Sequence, residues 1–164
     1  MFDAFLQISG IEGESTDDAH SKWIEIHSFS FNVSQPSSGS DSTGGGASAQ
    51  RADFSDFSIV KAVDKATPKL MLACADGTHY DEVKIEFCRA GGDKLKYLEY
   101  IMNDVIVSSY SPGGSAEGPD ALPLEEVSFN FGKIKTTYTQ QKREGGGGGG
   151  NVAAGWDLKA NKKL

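Results

Sequence analysis

Three histidines and two cysteines are the side chains of this chain best suited to hold a metal ion or to act as a nucleophile or base. The histidines, His20, His27 and His79, lie in three different segments and lack the close spacing of metal ligands. We therefore predict a surface or hydrogen-bonding role for each of them. Cys74 and Cys88 form no C-x-x-C pair. They are interpreted as free thiols of a reducing cytosol, with a single disulfide as the alternative.

Acidic residues cluster before the first tryptophan, in a segment that would suit a calcium ion by charge alone. The cluster consists of Glu12, Glu14, Asp17 and Asp18. It lacks the alternating ligand order, the following glycine and the distal glutamate of a calcium loop. A solvated acidic turn is predicted instead.

The sequence carries none of the common catalytic or phosphate-binding motifs, such as the P-loop, G-x-S-x-G or H-E-x-x-H. The glycine runs 44–46 and 145–150 lead into no predicted helix, whose N-terminus would be needed to bind phosphate. We therefore predict no enzyme activity, no cofactor and no metal site. A hydrolase with an unrecognised site would need a nucleophile and a base close together, and the sequence indicates no such pair.

Length and charge exclude several classes of protein. We interpret residues 1–164 as a single domain, long enough to bury its own core. The formal net charge of −7 disfavours binding to nucleic acid and to anionic membranes. No apolar run approaches the ~18 residues of a membrane-spanning helix, and the first residues lack the basic and apolar regions of a secretory signal. We expect synthesis in the cytoplasm, no membrane insertion, and export without a cleaved signal peptide.

Alternation of apolar and polar residues predicts that most of the chain forms β-strands. In the second predicted strand, the apolar residues of the first half have even numbers, Ile24 and Ile26. Those of the second half have odd numbers, Phe29, Phe31 and Val33. Successive side chains of a strand point to opposite faces, so this change requires a bulge or bend. Bulged strands let a small sheet curl, and we predict a mainly β fold, an antiparallel bulged β-barrel with one flanking α-helix.

Other segments also have strand character, and they are residues 2–8, 52–63, 83–87, 95–110, 127–138 and 152–158. Residues 95–110 have apolar side chains at both odd-numbered and even-numbered positions, which also suits a helix. A strand is favoured because Val105, Ile106 and Val107 are β-branched. Gly132 is predicted to form a second bulge, because the apolar positions change parity there.

One helix is predicted over residues 67–75. Thr67 suits the N-cap, Pro68 the first turn and Gly77 the C-terminal stop. Three residues fall on one face and should pack on the sheet, namely Leu70, Met71 and Cys74. Mobile loops are predicted at about residues 36–49, 111–120 and 144–151, where glycine, serine and proline dominate.

Eight segments, in this order and spacing, carry a recognisable pattern. They are residues 13–33, 64–71, 77–80, 84–92, 105–110, 127–131, 155–156 and 161–162. The first of them contains the run Asp-Asp-Ala-His-Ser-Lys-Trp-Ile-Glu-Ile. Together they cover essentially the whole chain, which resembles the haemolysin-coregulated protein (Hcp) family, the tube subunit of bacterial type VI secretion.

The resemblance implies an assembly. Six subunits would join as a homo-hexameric ring, and stacked rings would form the inner tube of a contractile injection machine with a spike protein and a sheath. The lumen of the ring would carry small effector proteins and shield them from degradation. A chain with this role would be made in the cytoplasm and secreted.

The run Phe29-Ser30-Phe31 leads to the candidate site. The alternation places both aromatic side chains in the core and Ser30 on the opposite face, with Ser28 and Asn32 beside it. The resemblance implies that this position looks towards the ring lumen. Ser28, Ser30 and Asn32 are therefore the candidate effector-binding residues, against the alternative that they are small polar residues on a solvated strand.

A different class of function is also open. A stand-alone ligand-binding β-barrel, for carbohydrate, would use Trp23, Trp156 and loop tyrosines as stacking platforms. Annular particles in negative stain would favour the tube subunit, and compact monomers would favour this alternative.

Overall fold

The computed structural model of the protein describes residues 1–36, 51–91, 94–118, 122–141 and 148–164. These residues form strands joined by one α-helix, α1 (Thr67–Asp76), and one 3-10 turn (Asp18–His20). In chain order the strands are β1 (Phe2–Ile8), β2 (Ile24–Ile26), β3 (Ser28–Ser30), β4 (Val33–Ser34), β5 (Asp53–Phe54), β6 (Phe57–Ala62), β7 (His79–Arg89), β8 (Lys96–Gly113), β9 (Leu124–Gln141), β10 (Gly148–Asp157) and β11 (Lys162–Lys163).

The main sheet is antiparallel throughout, in the order β11-β10-β9-β8-β7-β1-β2. Strand β9 is shared, because its first half also pairs with β6 and its second half with β10. Strand β3 pairs with the far side of β6, whereas β4 and β5 form a separate short pair. The long hairpin of β8 and β9 is therefore the centre of the sheet. Residues 95–110, which were ambiguous in sequence, lie in a strand as predicted.

The predicted bend in the second strand is confirmed and lies at His27. Before it, β2 pairs with β1, and after it, β3 pairs with β6. The His27 N–H donates to the Val60 carbonyl at 2.7 Å. The predicted class, mainly antiparallel β with a helix, is confirmed. The sheet is not closed into a barrel by a continuous ladder, however, because the strand changes partner at this bend.

Alternating residues of the strands fill the core. Val83, Ile85 and Phe87 of β7 are buried, as their alternation with charged residues predicted. Phe57 and Phe129 meet them from β6 and β9 and are fully buried. Each such side chain contributes about 1.5–3 kcal/mol of transfer free energy, so the inward rows of these strands supply most of the driving force for folding.

The predicted bulge at Gly132 is wrong in its position. The pairing of β8 with β9 passes Gly132 without a shift, and the register shifts instead between Val107 and Ser109. The buried positions of β9 nevertheless change parity at Gly132. Opposite it, Asp104 adopts a left-handed φ of 57°, and a Cβ on Gly132 would lie 2.6 Å from Asp104 Oδ2. The change of face therefore comes from backbone geometry at Asp104 rather than from an extra residue in β9.

Helix α1 begins where it was predicted and ends one residue later. Ala66, not Thr67, occupies the N-cap position, and Thr67 Oγ1 instead accepts the Asp64 N–H at 3.0 Å. Gly77 ends the helix in the left-handed conformation, φ 68°, with its N–H donating to the Ala73 carbonyl at 3.1 Å. The glycine stop is confirmed, because this conformation strains residues that carry a Cβ.

The buried face of α1 is only partly the predicted one. Leu70 is buried and Cys74 half-buried, but Met71 is 55% exposed. Both cysteines are free thiols, so the disulfide alternative is not realised. Burial, followed by the charge of Glu86, raises the pKa of Cys88 to about 11, which keeps this thiol protonated and unreactive at neutral pH.

Two of the predicted loops differ from the structure where it describes them. Strand β8 continues to Gly113, three residues into the predicted loop 111–120. Strand β10 begins at Gly148, so the last three glycines of the run 145–150 lie in a strand. The remainder of these loops falls within residues 37–50, 119–121 and 142–147, outside the described residues, except for Pro36 and residues 114–118, which are described and belong to no strand.

Gly13 lies so close to the strand after the acidic turn that a side chain cannot be accommodated. A Cβ at this position would be 2.4 Å from the Trp23 carbonyl oxygen and 2.5 Å from Ile24 Cα. We expect Gly13→Ala to lower the free energy of unfolding by about 1–3 kcal/mol, as overpacking does elsewhere. Denaturant unfolding measures the loss. Gly113→Ala is the matched control, because no atom lies within 4 Å of a Cβ there, and equal midpoints for both variants would contradict the prediction.

Candidate functional site

The candidate residues lie on the outward side of β3. Ser28 and Ser30 are exposed, and Phe29 between them is half-buried against the core. The Phe29 ring stacks on Phe57 with centroids 5.8 Å apart. The predicted alternation is therefore confirmed for these residues, and the aromatic contact fixes the orientation of the two serines.

Asn32 is positioned differently from the two serines. It lies beyond the end of β3, where its N–H donates to Ser55 Oγ at 2.7 Å and its carbonyl accepts the Ser55 N–H at 2.9 Å. Its side chain is exposed. Phe31 before it is half-buried and stacks on Phe57 at 5.6 Å. The structure thus places Ser28 and Ser30 on one strand and Asn32 at its edge.

A row of serines crosses four strands at the level of Ser30. Ser30 pairs with Ser58 on β6, Ser58 with Ser128 on β9, and Ser128 with Ser109 on β8. The Oγ atoms of Ser58 and Ser128 are 2.8 Å apart. Ser58, Ser128 and Ser109 were not predicted from the sequence to belong to the site. Their signal was present, since Ser58 and Ser128 each stand between two core residues.

A second row lies one step along the same strands. It contains Ser28, Val60, Glu126 and Ser111 in register. We call the polar residues of the two rows the serine face, which consists of Ser28, Ser30, Ser58, Ser109, Ser111, Glu126 and Ser128. Neither row contains Lys or Arg. The exposed Glu126 carboxylate has no ion-pair or hydrogen-bond partner among the described residues, so the surface offers small hydroxyl groups and an unpaired negative charge.

One end of the serine face is bordered by a hydrogen-bonded carboxylate. Asp56 accepts Ser108 Oγ at 2.7 Å and Asn130 Nδ2 at 2.9 Å. Ser108 and Asn130 are exposed, and Asp56 is half-buried. The cluster contains no base beside its serine other than this doubly bonded carboxylate. It can therefore accept and donate hydrogen bonds, but it does not form a nucleophile–base–orienter constellation.

A buried ionic cluster lies behind the serine face. Lys61 on β6 and Glu125 on β9 are fully buried and form an ion pair. Lys61 Nζ also lies 2.9 Å from Asp64 Oδ1, Thr67 Oγ1 donates to Glu125 Oε1 at 2.7 Å, and Tyr110 OH donates to Glu125 Oε2 at 2.6 Å. The cluster ties the first turn of α1 to three strands of the sheet.

Comparison with known proteins identifies the family. The family model described as "Type VI secretion system effector, Hcp" matches residues 5–138, a range that includes every residue of the serine face. Protein hcp1 of Pseudomonas aeruginosa is 40% identical over 160 residues, which are 97% of this chain and 96% of that protein. The chain belongs to the Hcp family.

Solved Hcp structures have the same fold. A structure described as a type six secretion system protein superposes with a TM-score of 0.93 at 32% identity and covers 100% of both chains. Hcp1 from Salmonella typhimurium gives a TM-score of 0.79 at 33% identity over 99% of both chains. The resemblance found in the sequence is thereby confirmed, and the chain is a type VI secretion protein.

Membership in the Hcp family also bears on activity and location. Hcp is a structural and secreted family rather than a known enzyme family, and its members leave the cell through the type VI system. Within the described part of the chain, no helix has the length and apolar character needed to cross a membrane.

A second polar cluster of this Hcp chain surrounds His20 and contains none of the residues of the serine face. His20 is 4% exposed, and its Nδ1 and Nε2 lie 2.6 Å from Asp17 Oδ2 and Glu86 Oε2. The predicted hydrogen-bonding role is confirmed for His20. Asp17, which was predicted to be solvated, is instead largely buried against the imidazole. The described residues contain no group of three or more His, Cys, Asp or Glu side chains placed to hold a metal ion.

The two tryptophans of this Hcp chain do not form a joint stacking platform. Trp23 precedes β2 and meets the His20 ring edge-on at 4.8 Å. Trp156 lies on β10, towards the other end of the strand order. Both are half-buried. The structure therefore does not bring together the residues on which the carbohydrate alternative depends.

Proposed function

We propose that six copies of this chain form a ring and that stacked rings form the inner tube of a type VI secretion machine, together with its spike protein and contractile sheath. The serine face is the observation that carries the proposal. It consists of two adjacent rows across strands β3, β6, β9 and β8, made mostly of serines, on an Hcp-family chain. A sixfold ring joins unlike surfaces of neighbouring subunits, which leaves one surface of each subunit free to face the lumen.

In this assembly the lumen is lined by the serine face, and Ser28, Ser30 and Asn32 contact a small effector protein. Small hydroxyl groups donate and accept hydrogen bonds without obstructing the passage, and they allow one surface to hold different cargoes. The aromatic contacts of Phe29 and Phe31 keep these residues at fixed positions. Binding is noncovalent, protects the effector from degradation in the cytoplasm, and precedes its secretion through the type VI machine.

Replacing Ser30 with arginine tests the contact. We expect Ser30→Arg to reduce retention of an effector that co-purifies with the wild-type assembly by at least tenfold, because six large charged side chains would then enter the lumen. Retention is measured by mass spectrometry of the purified assemblies. Ser9→Arg is the matched control, since Ser9 is exposed but follows β1, away from the serine face.

The test has clear outcomes. Reduced retention in Ser30→Arg but not in Ser9→Arg supports the assignment, provided that both variants form annular particles in negative stain. Unchanged retention with intact rings would remove Ser30 from the effector site. Sedimentation that detects only monomers of the wild-type chain across micromolar concentrations would contradict the ring itself and favour a stand-alone binding protein.

A further inference from the structure

His20 connects the turn before β2 to the outer side of the sheet. Its ring stacks on Phe5 of β1, with centroids 4.2 Å apart and planes inclined by 6°. Nδ1 contacts Asp17 within the turn, and Nε2 contacts Glu86 on β7, each at 2.6 Å. The segment 13–23 is also held by its own backbone bonds, among them Gly13 N–H to the Lys22 carbonyl at 2.8 Å, and by the Lys65 N–H, which donates to Glu14 Oε2 at 3.2 Å.

The contacts specify the protonation state of the ring. An ionised carboxylate only accepts hydrogen bonds, so Asp17 and Glu86 each require an N–H from His20. A neutral imidazole has one N–H and one lone pair. Loss of one proton would therefore place a lone pair 2.6 Å from a carboxylate oxygen inside a largely buried cluster, where the repulsion is poorly screened.

Other charges around the ring do not replace this proton. Lys94 Nζ lies 3.0 Å from Asp17 Oδ1, and Lys96 Nζ lies 3.3 Å from Glu86 Oε1, so each carboxylate has a second cation on its outer oxygen. The other titratable groups that face the cluster are Asp3 of β1, Cys88 of β7 and Glu99 of β8. Two of these carry negative charge and the third is a thiol, so none stabilises a neutral ring against the carboxylates.

We propose that His20 is a charge-dependent latch, which holds the segment 13–23 on the sheet while both ring nitrogens carry a proton and releases it when the ring loses one. Release separates the His20 ring from Phe5 and Trp23. The proposal depends on this cluster alone, and it stands whether or not the serine face binds an effector.

Protonation of the two carboxylates sets the low-pH limit of the latch. The hydrogen bond from His20, and then that from Lys94, lowers the pKa of Asp17 below 3.8. Burial alone would raise the pKa of Glu86, but the hydrogen bond from His20 and the charge of Lys96 lower it below 4.5 overall. Depressed values of this kind add stability that is lost only as the pH falls through them. The two carboxylates of the latch therefore stay ionised until the pH falls below their ordinary pKa values.

Trp23 provides a local reporter, because its ring lies edge-on to His20 at 4.8 Å and an imidazolium quenches indole fluorescence more than a neutral imidazole does. The chain has two tryptophans, and Trp156→Phe leaves Trp23 as the single emitter. Over a titration from pH 6 to 9.5 we expect its emission to follow the protonation of His20, with the same midpoint as the His20 ring resonances in NMR. Amide protection within residues 13–23 should fall about tenfold or more relative to the core strands over the same range.

Two variants separate the latch from a general pH effect. Glu86→Gln removes one negative charge but keeps an amide that can hydrogen-bond to Nε2 whether or not Nε2 carries a proton. The midpoint of the emission change should therefore fall by about one pH unit or more. His20→Gln should show no transition. His27→Gln is the matched control, because His27 is exposed, and it should leave the midpoint unchanged.

Three results would overturn the latch. They are His20 resonances that do not move up to pH 9.5, His20 titration without a change in Trp23 emission or local protection, and a midpoint in Glu86→Gln equal to that of the parent. Any one of them would show that the segment is held independently of the charge on His20.

Discussion

Glu125→Ala is expected to lower the free energy of unfolding by about 3 kcal/mol, the lower end of the range for breaking a buried ion pair. The substitution leaves the fully buried Lys61 ammonium with Asp64 as its remaining carboxylate. It also removes the acceptor of the Thr67 and Tyr110 hydroxyl groups. Unpaired buried donors are costly because water cannot reach them. Urea unfolding followed by circular dichroism measures the loss.

Glu126→Ala is a closely matched control for this experiment. The two residues are neighbours on β9, but Glu126 is exposed and has no ion-pair partner among the described residues. Its substitution should change the free energy of unfolding by no more than about 0.5 kcal/mol. A double variant, Lys61→Met with Glu125→Met, should be more stable than Glu125→Ala, because it leaves no ammonium in the core. Asp64 loses Lys61 in this variant but is partly exposed and still accepts the Ala66 N–H at 2.9 Å. Equal losses in Glu125→Ala and Glu126→Ala would show that the buried cluster is not structural.

The same cluster predicts a pH dependence. Burial alone would raise the pKa of Glu125, but the hydrogen bonds from Lys61, Tyr110 and Thr67 lower it below 4.5 overall. A carboxylate with a depressed pKa contributes stability above its unfolded value, and this contribution is lost as the pH falls. Glu125→Gln should therefore flatten the acid limb of the stability curve between about pH 5 and pH 2, relative to wild type. Burial and the bond to Glu125 raise the pKa of Tyr110 to about 12, so this donor is retained throughout that range.

Phe57→Ala is expected to cost about 3–5 kcal/mol, as large-to-small substitutions of buried aromatic residues do. Phe57 is fully buried and its ring contacts Phe29, Phe31 and Tyr100 at centroid distances of 5.2–5.8 Å. The cavity would remove the support behind β3, so the orientation of Ser28 and Ser30 should be lost together with stability. Denaturant unfolding gives the energy, and effector retention by the assembled protein reports the effect on the serine face.

Phe57→Leu and Phe54→Ala set the scale for that result. Phe57→Leu keeps most of the volume and should cost less than Phe57→Ala. Phe54 is only half-buried at the edge of the same cluster, so its removal should leave a smaller cavity and a smaller loss. If Phe57→Ala lowers the free energy of unfolding no more than Phe54→Ala does, Phe57 is not the main packing support behind β3.

Local patterns predicted a large part of the fold. The alternation of β7, the strand character of residues 95–110 and the bend between Ile26 and Phe29 were all read from neighbouring residues and are confirmed. These features depend on periodicity along one strand or on the chemistry of one turn. Predictions that needed finer backbone geometry were less accurate. The N-cap is Ala66 rather than Thr67, and the register shift lies in β8 rather than at Gly132.

The candidate site was predicted only along one strand. The sequence indicated that Ser28 and Ser30 lie opposite the core aromatics, because a strand alternates its faces. It did not indicate that Ser58, Ser128 and Ser109 continue the row, because those residues come from strands far apart in the chain. The order of strands across a sheet is not encoded in the period of any one of them.

The sequence by itself determined the family, the mainly β class and the side of β3 on which the serines lie, because each depends on residue order or on local alternation. The tertiary structure alone decided which charges meet. Lys61 and Glu125 are 64 residues apart, and His20 and Glu86 are 66 apart. Each pair forms only where packing of the strands and turns excludes water around two distant side chains. The physical reason is that burial and charge pairing belong to the assembled sheet, whereas alternation belongs to the single strand.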